Sequence, residues 1–376
     1  MDIEKRFQLI KRNTEEILEE SDLKNFLETA EPLKHYIGFE ISGLIHLGTG
    51  IASMNKVRDL QNAGVNCSIF LADWHSWIND KLGGDMAIIK EIAGGYFKEG
   101  MKASLECVGG DSDKIKFVLG SELYHNNDEY WQTVIDVSKS TSLARMMRSI
   151  TIMGRKEGEA VDFAKLIYPP MQVADIFVQG VNLAHSGLDQ RKAHVIARDV
   201  ALRLKIKPLK NKNKRIIKPI ALHHHLILGL GKPPTWPVPQ NRIQELWTAL
   251  KMSKSVPSSA IFIHDSELEI RQKVQNAFCP EKEINFNPIL DWAKSLIFTN
   301  FSSFEIERPS KFGGNLVFES YESLAKAYHE GKIHPLDLKN AVANYMIKLL
   351  SPARKHFQKP KIKKMRERLE ELKISR

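Results

Sequence analysis

The stretch Tyr-Ile-Gly-Phe-Glu-Ile-Ser-Gly-Leu-Ile-His-Leu-Gly-Thr, residues Tyr36–Thr49, decides how this chain folds. Its first residues belong to an apolar, aromatic run, which is typical of a buried strand. The run ends in a turn that carries glycines and a histidine, and a helix is predicted over residues 48–62. A second buried strand is predicted at Cys67–Ala72. Residues 36–72 are therefore predicted to form a strand, a turn, a helix and a second strand.

Outward from this segment the alternation continues. Strands are predicted at Lys114–Leu119 and Pro219–Leu222, and a regular helical stripe of apolar residues runs from Asp189 to Leu204. Strands that alternate with helices predict a parallel sheet covered on both faces, as in a Rossmann-type α/β domain.

Two parts of the chain do not follow this alternation. Residues 125–166 are predicted to be helical and form an insertion. Beyond about residue 266 the pattern is mostly helical, with an interruption near Phe312–Gly314, which predicts a mainly helical C-terminal domain. Between the two domains, residues 229–240 are rich in glycine and proline and indicate an exposed loop.

Composition excludes several classes of protein. The 376 residues contain no apolar window long enough to span a membrane, and Met1–Arg6 lacks the apolar stretch of a signal peptide, so a cytoplasmic protein is expected. Three cysteines without a CxxC pair disfavour a disulfide framework or a zinc knuckle.

The net charge of +10 is concentrated in two segments. Residues 203–218 carry +8 and residues 351–376 carry +7, so the rest of the chain is −5. Either segment could be only a solvated loop or helical tail, but together they favour a polyanionic partner.

Two motifs, about two hundred residues apart, suit nucleotide chemistry. In the first, glycines let the backbone approach a nucleotide, the helix N-terminus favours phosphate, and His46 can donate to phosphate oxygens. The second is Lys-Met-Ser-Lys-Ser at residues 251–255, which suits a mobile clamp on a polyphosphate. Gly48–Ser53 also fits a loose GxGxxS dinucleotide pattern, but the strand ends too early for that site.

In this order the motifs resemble the HIGH and KMSKS motifs of class I aminoacyl-tRNA synthetases. Further segments resemble tyrosyl-tRNA synthetases of the archaeal and eukaryotic type, over about residues 5–358. These are Leu71–Trp77, Tyr168–Ile176, Gly187–Lys192, Lys311–Gly314 and His334–Asn340.

The resemblance implies ATP-dependent activation of L-tyrosine to tyrosyl-adenylate and transfer to the 3′ end of tRNA(Tyr), with Mg²⁺ accompanying ATP. It also implies a homodimer with the insertion at its interface. The predicted regions are then a catalytic domain (1–225), a linker with the KMSKS loop (226–265) and an anticodon-binding domain (266–376).

The same resemblance assigns a tyrosine pocket. Tyr36 and Asp175 match the pair that hydrogen-bonds the phenolic hydroxyl of the substrate, and Tyr168, Gln172 and Gln190 match residues around its amino group. A carboxylate and a hydroxyl together suit a phenol, which is both donor and acceptor.

Asp73 and His75 follow the second strand, where ligands bind in open α/β sheets, so both are expected in the pocket.

Nucleotide and tRNA roles are implied in the same way. The catalytic set is His46, Gly48, Thr49, Lys251 and Lys254. The ATP-binding set shares His46, Gly48, Lys251 and Lys254 and adds Gly38, Met252, Ser253 and Ser255. His223 joins this set on a different ground, because with Leu222 it ends a predicted strand near the nucleotide. For tRNA, the implied set is Arg148 and Arg191 at the first base pair and Phe312, His334 and Asp337 at the anticodon.

The sequence also departs from the family pattern. Thr49 replaces the second histidine of HIGH, Ile41 stands where proline is common, and Val256 stands where an acid is usual. Three consecutive histidines, His223–His225, do not predict a metal site, because neighbouring strand residues point to opposite faces.

Three alternatives remain at this point: a tryptophanyl-tRNA synthetase, a catalytically weak RNA-binding paralogue and a generic nucleotidyltransferase. The pair Tyr36 and Asp175 argues against the first, because an indole offers only a donor.

Overall fold

The computed structural model describes residues 1–155, 158–239, 241 and 243–372. The remaining positions fall within the predicted insertion, linker and C-terminal domain. Among them are Lys373 and Arg376 of the second basic segment, which lie outside the described residues.

A six-stranded sheet forms the centre of the first half, in the order β1-β6-β5-β2-β3-β4. Five strands are parallel, and β1 is antiparallel to β6. The direction of winding reverses between β2 and β5, which makes a switch point at the carboxyl ends of these strands. The strands are β1 (Glu16–Leu18), β2 (Lys34–Glu40), β3 (Asn66–Ala72), β4 (Lys116–Leu119), β5 (Leu183–Gly187) and β6 (Ile220–His224).

Helices connect and cover these strands. The helices of the first half are α1 (Ile3–Lys11), α2 (Glu20–Glu28), α3 (Ser53–Asn62), α4 (Asp73–Ile78), α5 (Met86–Ile92), α6 (Lys98–Cys107), α7 (Gly120–Tyr124), α8 (Asp128–Lys139), α9 (Leu143–Ser149), α10 (Phe163–Val178) and α11 (Arg191–Val200). Helices α8, α9 and α10 occupy most of residues 125–166, the predicted insertion, and α10 continues past it to Val178 and carries the buried Asp175.

The second half is mainly helical, as predicted. Its helices are α12 (Ile243–Leu250), α13 (Glu267–Gln275), α14 (Pro288–Trp292), α15 (Phe298–Asn300), α16 (Tyr321–His329), α17 (Pro335–Leu349), α18 (Ser351–Phe357) and α19 (Pro360–Glu371). A hairpin of β7 (Phe304–Ile306) and β8 (Leu316–Phe318) flanks the predicted interruption and was not predicted from the sequence.

The two halves share one hydrophobic core. Phe357 of α18 is buried and its ring centroid lies 5.5 Å from that of Tyr96, next to α6. His356 Nε2 is 2.9 Å from a carboxylate oxygen of Glu99. The last helices therefore return to the α/β region instead of extending away from it.

Backbone hydrogen bonds place the two sequence motifs beside each other. Leu47 N donates to Ile261 O at 3.0 Å, and Ile263 N donates to Ile45 O at 3.1 Å. On the other side, Met252 N donates to Ile227 O at 2.8 Å, just beyond β6. Within the part of the chain that the structure describes, no helix is both long and apolar enough to cross a membrane.

Candidate active site

A cavity of about 510 Å³ opens at the carboxyl ends of β2 and β5, where the strand order reverses. Ligands of open α/β sheets bind at this place. Most residues singled out in the sequence line the cavity: Tyr36, Gly38, His46, Gly48, Thr49, His75, Tyr168, Gln172, Asp175, Gln190, Lys251, Met252, Ser253, Lys254 and Ser255.

At the deep end of the cavity, Asp175 is a buried carboxyl group. Tyr124 donates its hydroxyl to Asp175 Oδ1 at 3.0 Å, and His75 Nε2 lies 3.7 Å from Oδ2. Burial raises the pKa of Asp175 well above its usual value and lowers the pKa of His75 to about 3, so this histidine is neutral. Tyr36, also buried, lines the same cavity. This end suits an apolar ring that carries a hydroxyl.

A polar wall adjoins this end. Tyr168 donates its hydroxyl to Glu40 Oε1 at 3.0 Å. Gln172 Nε2 donates to Gln190 Oε1 at 3.2 Å, which leaves the buried Gln172 Oε1 without a partner among the described residues. A buried acceptor left in this way can take a hydrogen bond from an ammonium group.

His46 is held by the turn that follows it. The backbone N–H groups of Gly48 and Thr49 donate to His46 Nδ1 at 3.1 and 3.3 Å, so the ring proton sits on Nε2. Nε2 is 3.2 Å from Thr49 Oγ1, which accepts this proton in a hydrogen bond. Burial, followed by the charges of Lys254 and Lys251, lowers the pKa of His46 to about 3. His46 is thus a neutral donor.

Both lysines of the KMSKS segment reach the cavity and have partners there. Lys251 forms an ion pair with Asp189, and Lys254 donates to Ser42. Burial, with Lys81 close by, lowers the pKa of Lys254 to about 7. Two lysine amino groups therefore lie in the same cavity as Asp175.

Two predicted residues are placed elsewhere. Asp73 is buried and accepts the backbone N–H groups of Trp74 and Ser121, both at 2.9 Å, so its carboxylate fixes the start of α4 and does not line the cavity. His223 points to the opposite face of the sheet, where it bonds Glu16 at 2.9 Å. Its neighbour His224 lines the cavity instead.

Glu40 and Asp189 line the cavity but were not predicted from the sequence to do so. Both residues lie inside the quoted motifs. Glu40 is the last residue of β2 and Asp189 follows β5 by two residues, so their charge and position could have indicated a place in the site. Tyr124 does not line the cavity but holds Asp175 through its hydroxyl group, and no sequence signal marked it because only the folded chain brings these two residues together.

The residues predicted to contact tRNA lie outside the cavity in two groups. Arg191 is half exposed and binds Glu16 through Nε at 2.8 Å, and the exposed Arg148 accepts the Lys192 ammonium at its backbone oxygen at 2.8 Å. These two arginines adjoin each other.

The second group lies in the C-terminal region. Phe312 is 61% exposed, and Lys311 Nζ stands 4.9 Å from its ring centroid. His334 caps α17 by accepting from Leu336 N at 3.2 Å, and Asp337 is in the first turn of that helix. An exposed ring in this setting is suited to stacking on a base.

The basic stretch 203–218 lies along the surface of the α/β region. Lys207 pairs with Glu129 at 2.6 Å, and Asp136 accepts the backbone N–H groups of Lys205 and Ile206. The stretch is therefore anchored to α8, while most of its basic side chains stay exposed.

Comparisons with known proteins agree with this geometry. A family model described as class I tRNA synthetases (W and Y) matches residues 28–351. A tyrosine–tRNA ligase of Thermococcus kodakarensis is 60% identical over 362 residues, which cover 96% of each chain.

Solved structures are similar over the whole chain. The tyrosyl-tRNA synthetase of Pyrococcus horikoshii, solved with L-tyrosine, has a TM-score of 0.94 at 55% identity and covers 98% of this chain and 100% of its own. That of Aeropyrum pernix has a TM-score of 0.82 at 40% identity and covers 98% of this chain and 99% of its own.

Proposed function

This chain belongs to the family of class I tRNA synthetases for tryptophan and tyrosine, and we infer that its cavity activates tyrosine with ATP before the tyrosyl group passes to tRNA. Its activity is that of a tyrosine–tRNA ligase. The observation that carries the assignment is that a buried Asp175 and the two lysines Lys251 and Lys254 line the same cavity.

The deep end selects the amino acid. Asp175 accepts the phenolic hydroxyl of tyrosine beside Tyr36, and Gln172 and Tyr168 face its amino group. Phenylalanine would fill the same space but leave the buried carboxyl without its partner, which carries a large cost. Tryptophan is wider and places no hydroxyl at this point.

The opposite end handles ATP. The tyrosine carboxylate attacks the α-phosphate, the new bond forms between carboxylate oxygen and phosphorus, and pyrophosphate leaves with the electron pair of the broken bond. Such a reaction depends on position and charge stabilisation. Lys251 and Lys254 supply positive charge once they exchange Asp189 and Ser42 for phosphate oxygens, and His46 supplies a neutral N–H donor. The reaction needs no general base.

We propose that Mg²⁺ enters this site with ATP. Among the described residues, no group of three acidic, histidine or cysteine side chains is arranged to hold a metal ion. Mg²⁺ keeps several waters and binds substrate phosphates readily, so a cation carried by the phosphates fits this cavity. When bound, it would neutralise part of the polyphosphate charge.

We further propose that tRNA(Tyr) contacts the two exposed groups described above. Arg148 and Arg191 suit the first base pair of the acceptor stem, and Phe312 with His334 and Asp337 suits the anticodon. The proposed regions are the catalytic domain (1–225), the linker (226–265) and the anticodon-binding domain (266–376). A cytoplasmic location follows from this role.

A homodimer through the insertion is a separate proposal. Ile135, Leu143 and Phe163 are 60%, 68% and 77% exposed, and all three belong to α8, α9 and α10 of the insertion. Exposed large apolar side chains on three consecutive helices suit an interface. Sedimentation of the wild type should give a dimer, and Phe163→Asp should shift it toward the monomer. A wild type that sediments as a monomer at micromolar concentration would contradict this.

The assignment to tyrosine is tested by ATP–pyrophosphate exchange with tyrosine, tryptophan and phenylalanine in parallel. We expect exchange with tyrosine, and charging of tRNA(Tyr) by the same preparation. Exchange with tryptophan and not with tyrosine would overturn the assignment. Binding of tRNA without any adenylate formation would instead favour a catalytically weak paralogue, the alternative that Thr49 alone raised.

A further inference from the structure

Three buried histidines form a hydrogen-bonded row across the sheet. His35 on β2 places Nε2 3.0 Å from Nδ1 of His185 on β5. His185 in turn places Nε2 2.8 Å from Nδ1 of His224 on β6. The row runs from the interior of the domain to the wall of the active-site cavity, which His224 lines.

All three imidazoles are neutral at physiological pH. Burial lowers the pKa of His35 to about 3, that of His224 to about 4, and that of His185 well below its usual value. A neutral imidazole carries one N–H, so the bonds of the row must all point in the same direction. Either every Nε2 donates toward the cavity, or every Nδ1 donates toward the interior.

The inner end of the row determines the direction. Nδ1 of His35 has no hydrogen-bond partner within the described part of the chain. The positive charge of Lys56, whose ammonium donates to the backbone oxygens of Ile10 and Arg12, acts on this ring. A buried N–H without an acceptor is rarer in proteins than a buried lone pair without a donor, so the unpartnered Nδ1 of His35 is the unprotonated nitrogen. The protons therefore sit on Nε2, and His224 turns an N–H donor toward the cavity.

This donor stands at the nucleotide end. His224 Nε2 is 3.6 Å from the position that a Cβ atom on Gly187 would occupy, and Asp189, which binds Lys251, follows two residues later. The lysines serve charged phosphates, whereas a neutral N–H suits an uncharged acceptor such as a ribose oxygen or a ring nitrogen.

We propose that His224 donates its Nε2–H to the adenosine part of ATP, and that His185 and His35 are positioning residues that fix the place of this proton. The proposal rests on the proposed use of the cavity for ATP. In this proposal His224 takes the role near the nucleotide that the sequence had suggested for His223, which points to the other face of the sheet.

Steady-state ATP–pyrophosphate exchange tests the proposal. His224→Leu should raise KM for ATP about three- to tenfold, the loss of one neutral hydrogen bond, and leave KM for tyrosine unchanged. His224→Gln returns an amide donor close to the position of Nε2 and should recover most of the affinity. His185→Phe should raise KM for ATP by a smaller factor.

A matched control comes from the opposite face of the sheet. His194 is equally buried, and its Nδ1 lies 3.0 Å from Nε2 of His223. His194→Phe breaks a histidine pair of the same kind but should leave both KM values unchanged. An equal rise of both KM values in His224→Leu would indicate a merely structural role and overturn the proposal, as would an unchanged KM for ATP.

Nitrogen-15 NMR of the wild type provides a test that does not depend on the folding of a variant. The His224 signal should be that of a neutral ring protonated at Nε2, and a ring protonated at Nδ1 would overturn the proposal. Absence of tyrosine-dependent exchange in the wild type would refute the proposed function itself and would be seen before any variant is made.

Discussion

In the proposed function, amino-acid selection rests on Asp175. Asp175→Asn keeps the size of the side chain but replaces one acceptor by a donor, so the phenol loses its best partner. We expect KM for tyrosine to rise by about ten- to a hundredfold, the cost of a buried polar group left without its partner, with KM for ATP unchanged. Exchange kinetics with tyrosine and phenylalanine measure this, and the preference for tyrosine should shrink.

Asp73→Asn is the control for this substitution. Asp73 is as buried as Asp175 but binds the backbone N–H groups of Trp74 and Ser121 instead of lining the cavity. We expect lower stability with an unchanged KM for tyrosine. Equal effects of the two substitutions would mean that selection does not depend on the location of Asp175.

The proposed contact of Lys254 with ATP predicts that ATP use depends on pH. Its pKa is lowered to about 7, mainly by burial, so the ammonium loses its proton as the pH rises through about 7. Since kcat/KM reports groups of the free enzyme, kcat/KM for ATP should fall above that pH. Lys254→Arg stays charged throughout and should remove this decrease, even at lower absolute activity. Superimposable profiles of the two proteins between about pH 6 and 9 would contradict the prediction.

Which of His223 and His224 faces the cavity could not be predicted from the sequence. His223 and His224 are the last two residues of β6. Neighbouring strand residues point to opposite faces of the sheet, so an error of one position in the register selects the residue that points away from the cavity. The predicted end of the strand suggested His223, whereas in the structure it is His224 that lines the cavity. Register is fixed by pairing across the sheet and cannot be taken from a local motif.

At the scale of elements, local composition predicted some strands and missed others for a physical reason. β2 and β3 are apolar, aromatic runs whose propensity agrees with their place in the centre of the sheet. β5 reads Leu-Ala-His-Ser-Gly and is a strand only because it is buried between β2 and β6. β1, of three residues, exists through its antiparallel pairing with β6. Tertiary contacts, and not propensity, create these two.

The close packing of the helical turn Gly48–Ala52, where the HIGH-like motif ends, can be tested at Gly50. A Cβ atom there would stand 2.6 Å from Ser104 Oγ and 3.0 Å from Ile45 Cγ2, both in the core. Gly50→Ala should therefore lower the free energy of unfolding by about 1–3 kcal/mol, measured by urea denaturation. Gly94→Ala is the control, because a Cβ there meets nothing within 4 Å. It should be neutral or add up to about 1 kcal/mol. Similar losses at both positions would refute the packing argument.

At the scale of the whole molecule, the sequence identifies the two basic segments, and the structure shows where they lie on the surface. The first basic segment is not a free loop, because Asp136 and Glu129 of α8 anchor it beside the insertion. The described part of the second segment, residues 351–372, forms α18 and α19, which pack on the α/β region, with Lys359, Lys361 and Lys363 exposed. What the sequence could not supply is this placement, since it depends on contacts between residues hundreds of positions apart.

The last prediction concerns how tRNA binding responds to salt. Lys205, Lys210, Lys214 and Arg215 are exposed on the anchored segment, so their charges stand ready for phosphates at no cost of ordering a loop. Replacing all four by glutamine should lower the slope of log K against log salt by up to about 1 for each phosphate that is no longer neutralised. Filter binding of tRNA(Tyr) over a salt series measures this, with tyrosine-dependent exchange unchanged.

The matched variant replaces the three lysines by arginine and keeps the charge. Because the salt slope counts neutralised phosphates and not the shape of the cation, this variant should retain the wild-type slope. If the glutamine variant also retains it, then residues 203–218 are a solvated surface segment, and phosphate binding falls to the C-terminal segment. The same series with Lys359, Lys361, Lys363 and Lys364 replaced would then have to flatten the slope, because the rest of the chain is net negative and offers the phosphates no comparable basic segment.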